Sequence, residues 1–411
     1  MKRLVIPVAL AVLAFACGTP IEKTRRAAQR VSNALEVGAP LGRPENARER
    51  DRERFDLRWR QLQSFRAAEL ARAQAQQRAA QEAARQQIQF VTGLKESFKH
   101  LDANGINSAP VAVPITGDVK GPSVLKAQVY LDRLHFSVGA IDGRWGKNSA
   151  ISVWWWQRSH GIEATGDVDE ATFRSLADAA GYGPAVEQYS VTAEDLQGPF
   201  VHIPASVYDQ QHLSCLCYET VREKLAEKFH IDQDFFSDLN PDVKFSDLQP
   251  GAMIIVPNVR PPLAAPTHDV ARIVISIAGN TFNCFDGNEN LIFHAPTTVG
   301  STYDPSPAET LHVIKIIDLP HFHYDPTLYH EVPDYMPDAH LSPGPNSPVG
   351  IVWMALSKEH YGIHGTKDPE SIGYVSSHGC VRLTNWDAAE VEQRISEGVR
   401  VSFVDTKRHE D

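Results

Sequence analysis

Cys380 follows His378 and Gly379, and a second histidine, His364, stands upstream in His364-Gly365-Thr366. A thiol attacks as its thiolate, and a free cysteine is mostly protonated at neutral pH. A cysteine that does chemistry therefore needs an imidazole or a cation close by. His364 and His378 are the two candidate bases, and Arg382 is the nearest cation in sequence. Gly365 and Gly379 permit the close backbone approach that an oxyanion site made of N–H groups requires. If residues 377–382 were extended, His378, Cys380 and Arg382 would share one face. The competing reading, a buried structural thiol between incidental histidines, does not account for so many chemically distinct side chains in one short string.

The string Ser377-His378-Gly379-Cys380-Val381-Arg382-Leu383 resembles the catalytic signature of the L,D-transpeptidases, the YkuD-type family of peptidoglycan enzymes. Further segments carry the resemblance: Ser342-Pro343-Gly344-Pro345-Asn346-Ser347-Pro348-Val349-Gly350, Tyr361-Gly362-Ile363-His364-Gly365-Thr366, and Ser371-Ile372-Gly373. It covers residues 270–405. It implies a β-rich catalytic domain in which Cys380 is the nucleophile, His364 the proton acceptor and donor, and His378 a residue that shapes the site. It also implies backbone N–H groups around Gly379 and Cys380 for the oxyanion, Arg382 for a stem-peptide carboxylate, Ser377 as an orienter of the imidazole, and Tyr361 and Gly365 along the substrate cleft. The implied chemistry is acyl transfer through a thioester on Cys380, with no metal or other cofactor. A stem peptide, an envelope lipoprotein or water would take the acyl group; water would make the enzyme an L,D-carboxypeptidase. A non-catalytic peptidoglycan-binding anchor is the reading from a different class.

These residues need a scaffold. From residue 270 onward the pattern is that of strands: Arg272–Ile277, Leu291–Pro296, Leu311–Ile317, and Val399–Val404 as the closing strand. Residues 318–348 are too long for a plain connection, which marks a functional loop; the family resemblance places a lid there. Its His321, His323, His330 and His340 invite a metal reading, against which stands ordinary loop packing. Residues 123–178 predict three short helices around a turn-rich loop. Ile141-Asp142-Gly143, Trp156-Gln157 and Thr165-Gly166 resemble the peptidoglycan-binding type-1 domain, whose Trp154–Trp156 run reads as core. Residues 212–258 resemble a LysM module through Leu239-Asn240-Pro241, Leu248-Gln249-Pro250-Gly251 and Ile254–Pro257, which leaves glycan binding and a spacer role both open. Residues 110–122 and 259–268 read as linkers. Residues 18–109 read as a basic stalk, helical or partly disordered, because Ala67–Gln87 has almost no large apolar residue.

The fold class expected is therefore multidomain, a β-rich catalytic domain preceded by a three-helix unit, an α/β segment and a stalk. The 411 residues and 42% hydrophobic content suffice for several cores. The net charge of −11 is uneven: residues 22–100 carry 17 Lys and Arg against 10 Asp and Glu, and residues 101–411 carry 21 against 41. A basic arm on an acidic body fits anionic envelope polymers or lipid headgroups, not nucleic acid. Lys2, Arg3 and the apolar run Leu4–Ala16 read as a secretory signal in residues 1–17. Cleavage after Ala16 leaves either a plain terminus or, in the preferred reading, an acylated Cys17 that anchors the protein to a membrane in the periplasm. Cys215, Cys217 and Cys284 are expected as buried or loosely paired thiols; a bond between residues 215 and 217 is disfavoured by ring strain.

Overall fold

The computed structural model describes residues 45–329 and 332–405, with side chains from residue 59 onward. The leader, Cys17 and His330 lie outside the described residues. Residues up to 78 and residues 79 onward form two separate units. Helix α1 spans Glu45–Gln87, and its part in the first unit exposes Trp59, Leu62, Phe65 and Leu70. Among the described residues, no helix is long and apolar enough to cross a membrane.

The stalk does not continue to residue 109. Phe90–Val91 pairs in parallel with Val111–Ala112. Ile88, Phe90 and Phe98 pack on the first large core, and Ile106 is fully buried. The expected linker 110–122 is likewise packed, with Val111 and Ile115 buried. These apolar residues find partners far along the chain, which a stalk would lack.

Three helices follow: α2 (Pro122–Arg133), α3 (Lys147–Ser159) and α4 (Glu170–Ala179). Pro122 opens α2 at a position that has no N–H bond to lose. Asp169 caps α4 by accepting from Thr172 N–H at 2.7 Å. Trp154, Trp155 and Trp156 are all buried. Gln157 accepts from Gly166 N–H and donates to the Asp167 carbonyl, so the Trp-Gln pair closes a turn.

Strand β1 (Val186–Ser190) precedes helices α5 (Val221–Lys228) and α6 (Gln233–Leu239), and strand β2 (Met253–Pro257) returns antiparallel to β1. The unit is therefore βααβ, and it begins at Val186 rather than at residue 212. Its first strand is separated from its first helix by a long insertion, so no local pattern joins them. A disulfide links Cys215 to Cys217 across a Cα separation of 5.2 Å, the pairing that strain was expected to disfavour. That separation lies inside the ordinary range, and Leu216 between them is fully buried. Cys284 is free and buried.

The expected linker 259–268 contains Arg260, which is buried among Asp132, Asp387 and Glu390. Beyond it lie β3 (Arg272–Ser276), β4 (Thr281–Phe285), β5 (Leu291–Pro296), β6 (Thr310–Asp318), β7 (Phe322–Tyr324), β8 (Ala339–Leu341), β9 (Val352–Leu356), β10 (Gly362–His364), β11 (Val381–Arg382), helix α7 (Asn385–Arg394) and β12 (Arg400–Val404). Eight of these strands make one sheet, in the order β11-β10-β9-β6-β12-β3-β4-β5. The last strand closes nothing at an edge. It inserts between β6 and β3, antiparallel to the first and parallel to the second. Ile273, Ile275, Phe282, Phe293, Met354, Ile363 and Val401 fill the core with Val391 of α7.

Candidate active site

β10 ends in His364, and β11 runs parallel to it with Ile363 opposite Val381 and His364 opposite Arg382. The pairing brings the two motifs together at one end of the sheet. Residues 377–380 are a turn rather than a strand. Gly379 has φ +107°, a conformation that side chains rarely adopt, and a Cβ there would lie 2.9 Å from Tyr361 Cε1. The common face expected from extended parity is thus replaced by a turn that nonetheless delivers His378, Cys380 and Arg382 to one cavity.

That cavity has a volume of about 740 Å³, and Tyr361, His364, Ser377, His378, Cys380 and Arg382 all line it. The 318–348 segment covers it. Within this segment β7 and β8 pair antiparallel, and Phe322, Leu328 and Tyr329 face the cavity. A third small core fixes the segment from outside, joining Leu341 and Ala339 to Leu216 of the βααβ unit's insertion. Leu216 N–H donates to the Pro343 carbonyl, and Asn346 N–H donates to the Leu216 carbonyl, both at 2.9 Å. Gly344 lets the chains meet: a Cβ there would fall 2.1 Å from Leu216 O.

His364 is buried, and its ring stacks on Trp353 at 5.4 Å. Its Nδ1 lies 2.7 Å from the Gly365 carbonyl oxygen. A carbonyl only accepts, so Nδ1 carries the proton and Nε2 keeps the lone pair. Burial, reinforced by the Arg382 charge, lowers the imidazole pKa to about 3. At neutral pH the ring is an uncharged base. Cys380 is half-buried, and its Sγ lies 3.5 Å from the His360 carbonyl. Burial pushes its thiol pKa up, opposed by the Gly362 N–H and by Arg382. The resting pair is therefore thiol and neutral imidazole, not thiolate and imidazolium.

Arg382 lines the cavity, and its Nε is buried without a hydrogen-bond partner. His378 is exposed, with its ring 4.8 Å from Tyr329. Tyr361 donates to the Pro305 carbonyl at 3.3 Å. Two expectations change. Ser377 Oγ donates to the Cys380 carbonyl and accepts from Gly379 N–H, so it braces the turn rather than the His364 ring. The Gly379 N–H is thereby engaged at rest. Gly365 lies behind His364 and not along the cavity; a Cβ there would meet Asn385 Oδ1 at 2.2 Å. A glycine is needed at that place for packing, whereas a substrate contact was expected.

Ser306, Trp353, His360 and Asn385 support the site and were not singled out in the sequence. Ser306 Oγ donates to the Gly379 carbonyl at 2.8 Å from a distant loop. The positive φ of His360 is a turn property that residue type alone did not announce. Of the loop histidines, His323 pairs with Asp338 at 3.0 Å and stacks on His340. Among the described residues, no group of three or more His, Cys, Asp or Glu side chains could hold a metal ion.

Residues 270–402 match the family model of the L,D-transpeptidase catalytic domain, and residues 120–176 match a peptidoglycan binding domain. The chain thus carries a catalytic domain of the cysteine-dependent acyltransferase class, with a peptidoglycan-binding-type helical domain before it. A Bacillus licheniformis protein named as L,D-transpeptidase YkuD is 29% identical over 181 residues, which is 44% of this chain and 92% of that protein. An Escherichia coli K12 protein named as L,D-transpeptidase YbiS is 40% identical over 62 residues, 15% of this chain and 20% of its own length. Among solved structures, Mycobacterium tuberculosis L,D-transpeptidase 3 is similar at 16% identity, 39% of this chain and 77% of that one, with a TM-score of 0.28. The Enterococcus faecium L,D-transpeptidase C442S mutant is 13% identical, and the match spans 33% of this chain and half of that one, with a TM-score of 0.26.

Proposed function

We propose that the chain transfers acyl groups between peptidoglycan stem peptides, with Cys380 as nucleophile and His364 as general base. The observation that carries this reading is the shared cavity, which Cys380, the neutral His364 imidazole with its Nδ1 tied to a carbonyl, and the Arg382 guanidinium all line. Cys380 Sγ attacks the carbonyl that precedes the terminal residue of the donor stem. His364 Nε2 takes the thiol proton as the S–C bond forms, since neither group is charged beforehand. The resulting oxyanion takes the Cys380 N–H. The C–N bond then breaks, the proton passes from Nε2 to the leaving amine, and a thioester remains. An acceptor amine attacks the thioester, loses a proton to His364, and releases the thiol. Arg382 binds a donor carboxylate, and His378 with Tyr329 shapes the entrance.

The βααβ unit has the strand–helix–helix–strand order that supports the LysM-like reading, and with the helical domain it would hold the enzyme on the wall polymer. The leader supports export to the periplasm, with Cys17 as the lipid-bearing residue and a membrane as its anchor. An envelope lipoprotein is a second acceptor of the same chemistry. The test is incubation of the purified protein with defined disaccharide tetrapeptides, followed by mass spectrometry. Release of the terminal residue with a dimer identifies transpeptidation, and release without a dimer identifies carboxypeptidase action. Cys380→Ala must abolish both. Turnover retained in that variant would sink the assignment, and a folded wild type with neither product would favour the anchor reading.

A further inference from the structure

The acyltransferase domain's candidate base hangs from a single carbonyl. His364 Nδ1 is held by Gly365 O at 2.7 Å, and Gly365 N–H donates to the Val352 carbonyl at 3.3 Å. The other side of Gly365 presses on Asn385, the first residue of α7. Thr384 caps that helix by accepting from Asp387 N–H at 3.2 Å, which turns the Asn385 side chain inward, where it is 1% exposed.

Asn385 is bonded at both ends of its amide. Its Oδ1 accepts from Ile351 N–H at 3.3 Å and would lie 2.1 Å from a Cβ at Gly350 and 2.2 Å from one at Gly365. Its Nδ2 donates to the Pro345 carbonyl at 3.1 Å and to Glu227 Oε1 at 2.8 Å. An amide with both N–H groups and its oxygen engaged cannot flip or withdraw without leaving a buried polar group unpaired. It is thus a wedge that fixes the turn carrying the His364 acceptor.

Glu227 comes from α5 of the βααβ unit, not from the catalytic domain. Tyr218 donates to its other oxygen at 3.2 Å. We infer that Glu227 and Asn385 form a positioning pair: a carboxyl group from the accessory unit orients Asn385, which in turn holds the Gly365 carbonyl that orients His364. The inference rests on His364 being the base. The groups facing the Glu227 carboxyl are Tyr218, Asn385, Glu223 on the same helix, and Glu370 from the 369–371 turn. Burial raises its pKa to about 8, opposed by the Asn385 and Tyr218 hydrogen bonds and aided by repulsion from Glu223 and Glu370. At neutral pH the carboxyl is therefore mostly uncharged, so glutamine can replace it.

The test uses the full chain and reads the rate at which a carbapenem acylates Cys380, by intact mass, beside reaction of the same thiol with iodoacetamide. Glu227→Ala and Asn385→Ala are expected to slow carbapenem acylation roughly 10- to 100-fold. The iodoacetamide rate, which needs no oriented base, is expected to stay within about twofold in the same variants. Glu227→Gln is expected to restore the carbapenem rate. Folded Glu227→Ala with a wild-type carbapenem rate, while His364→Ala is slow, would overturn the inference alone. A wild-type rate in His364→Ala would instead remove the reading on which it rests. Failure of Glu227→Gln to restore the rate would assign Glu227 a merely structural part and overturn the pair.

Discussion

The pH profile of Cys380 acylation tests the environment of His364 directly. Its ring is buried against Trp353, with Arg382 nearby, and its pKa lies at about 3. At pH 5 such an imidazole is about 99% neutral, whereas one with the ordinary value near 6.5 is about 3% neutral. Between pH 5 and pH 7 the competent fraction of His364 therefore changes by about 1%; an ordinary base would gain about 25-fold. The Cys380 thiol, raised by burial, stays protonated across this range and adds no limb of its own. The assay is single-turnover acylation by a carbapenem at constant ionic strength, read by intact mass at half-unit intervals of pH. We expect a rate that varies less than about twofold from pH 5 to pH 7 in wild type. A limb that persists in His378→Ala and disappears in His364→Ala would show that His364 titrates near its ordinary value, and would refute the buried, neutral base.

His364→Ala should slow acylation by roughly two to four orders of magnitude, and His378→Ala by less, since only the first is buried with a fixed tautomer; reversed magnitudes in the same assay would exchange their roles. Gly365→Ala should lower both the acylation rate and the melting temperature, because its Cβ would fall 2.2 Å from Asn385 Oδ1; an unchanged melting curve would count against that wedge. His294 is fully buried, with Nδ1 2.7 Å from Asn283 Oδ1 and Nε2 without a partner, and burial lowers its pKa to about 3. The unfolded chain takes up its proton below about pH 6.5 and the folded chain does not, so stability present at neutral pH is lost as pH falls toward 3, about 2 kcal/mol of it by pH 5. Urea unfolding at pH 7.5 and pH 5 measures this, and His294→Gln should show a smaller difference.

The catalytic strings were legible because several chemical requirements coincide in a few residues, and because glycine marks the turn at Gly379 where φ is positive. Strands such as Arg272–Ser276 and Leu291–Pro296 were legible from β-branched residues and bounding turns. What could not be read depends on partners distant in sequence. Residues 88–109 contain enough apolar side chains to pack, but the surfaces they cover belong to residues far along the chain, such as Phe173 for Phe90 and Phe235 for Phe98. The first strand of the βααβ unit lies across a long insertion from its first helix. Val399–Val404 was recognised as a strand, yet its place between β6 and β3 is a property of topology rather than of pattern. Gly365 was legible as a glycine that something needs, but a motif cannot say whether substrate or Asn385 stands beside it.

Helix α7 explains why the accessory units and the site do not behave as separate beads. Asn385 reaches Glu227 of the βααβ unit and the turn beneath His364. Trp386 stacks on His230, whose Nδ1 lies 2.9 Å from Asp132 of the helical domain. Asp387 accepts from Ser137 Oγ at 2.8 Å and from Arg260, and Arg260 also binds Asp132 and Glu390. One buried cation thus serves three carboxylates drawn from two domains. Buried charges of this kind add little net stability over apolar packing, but separating them leaves uncompensated charge. Sliding the helical domain on the catalytic domain would expose Asp132 and Asp387 to that cost at once. The start of the helix that wedges the candidate base is therefore also the place where the preceding units are locked on.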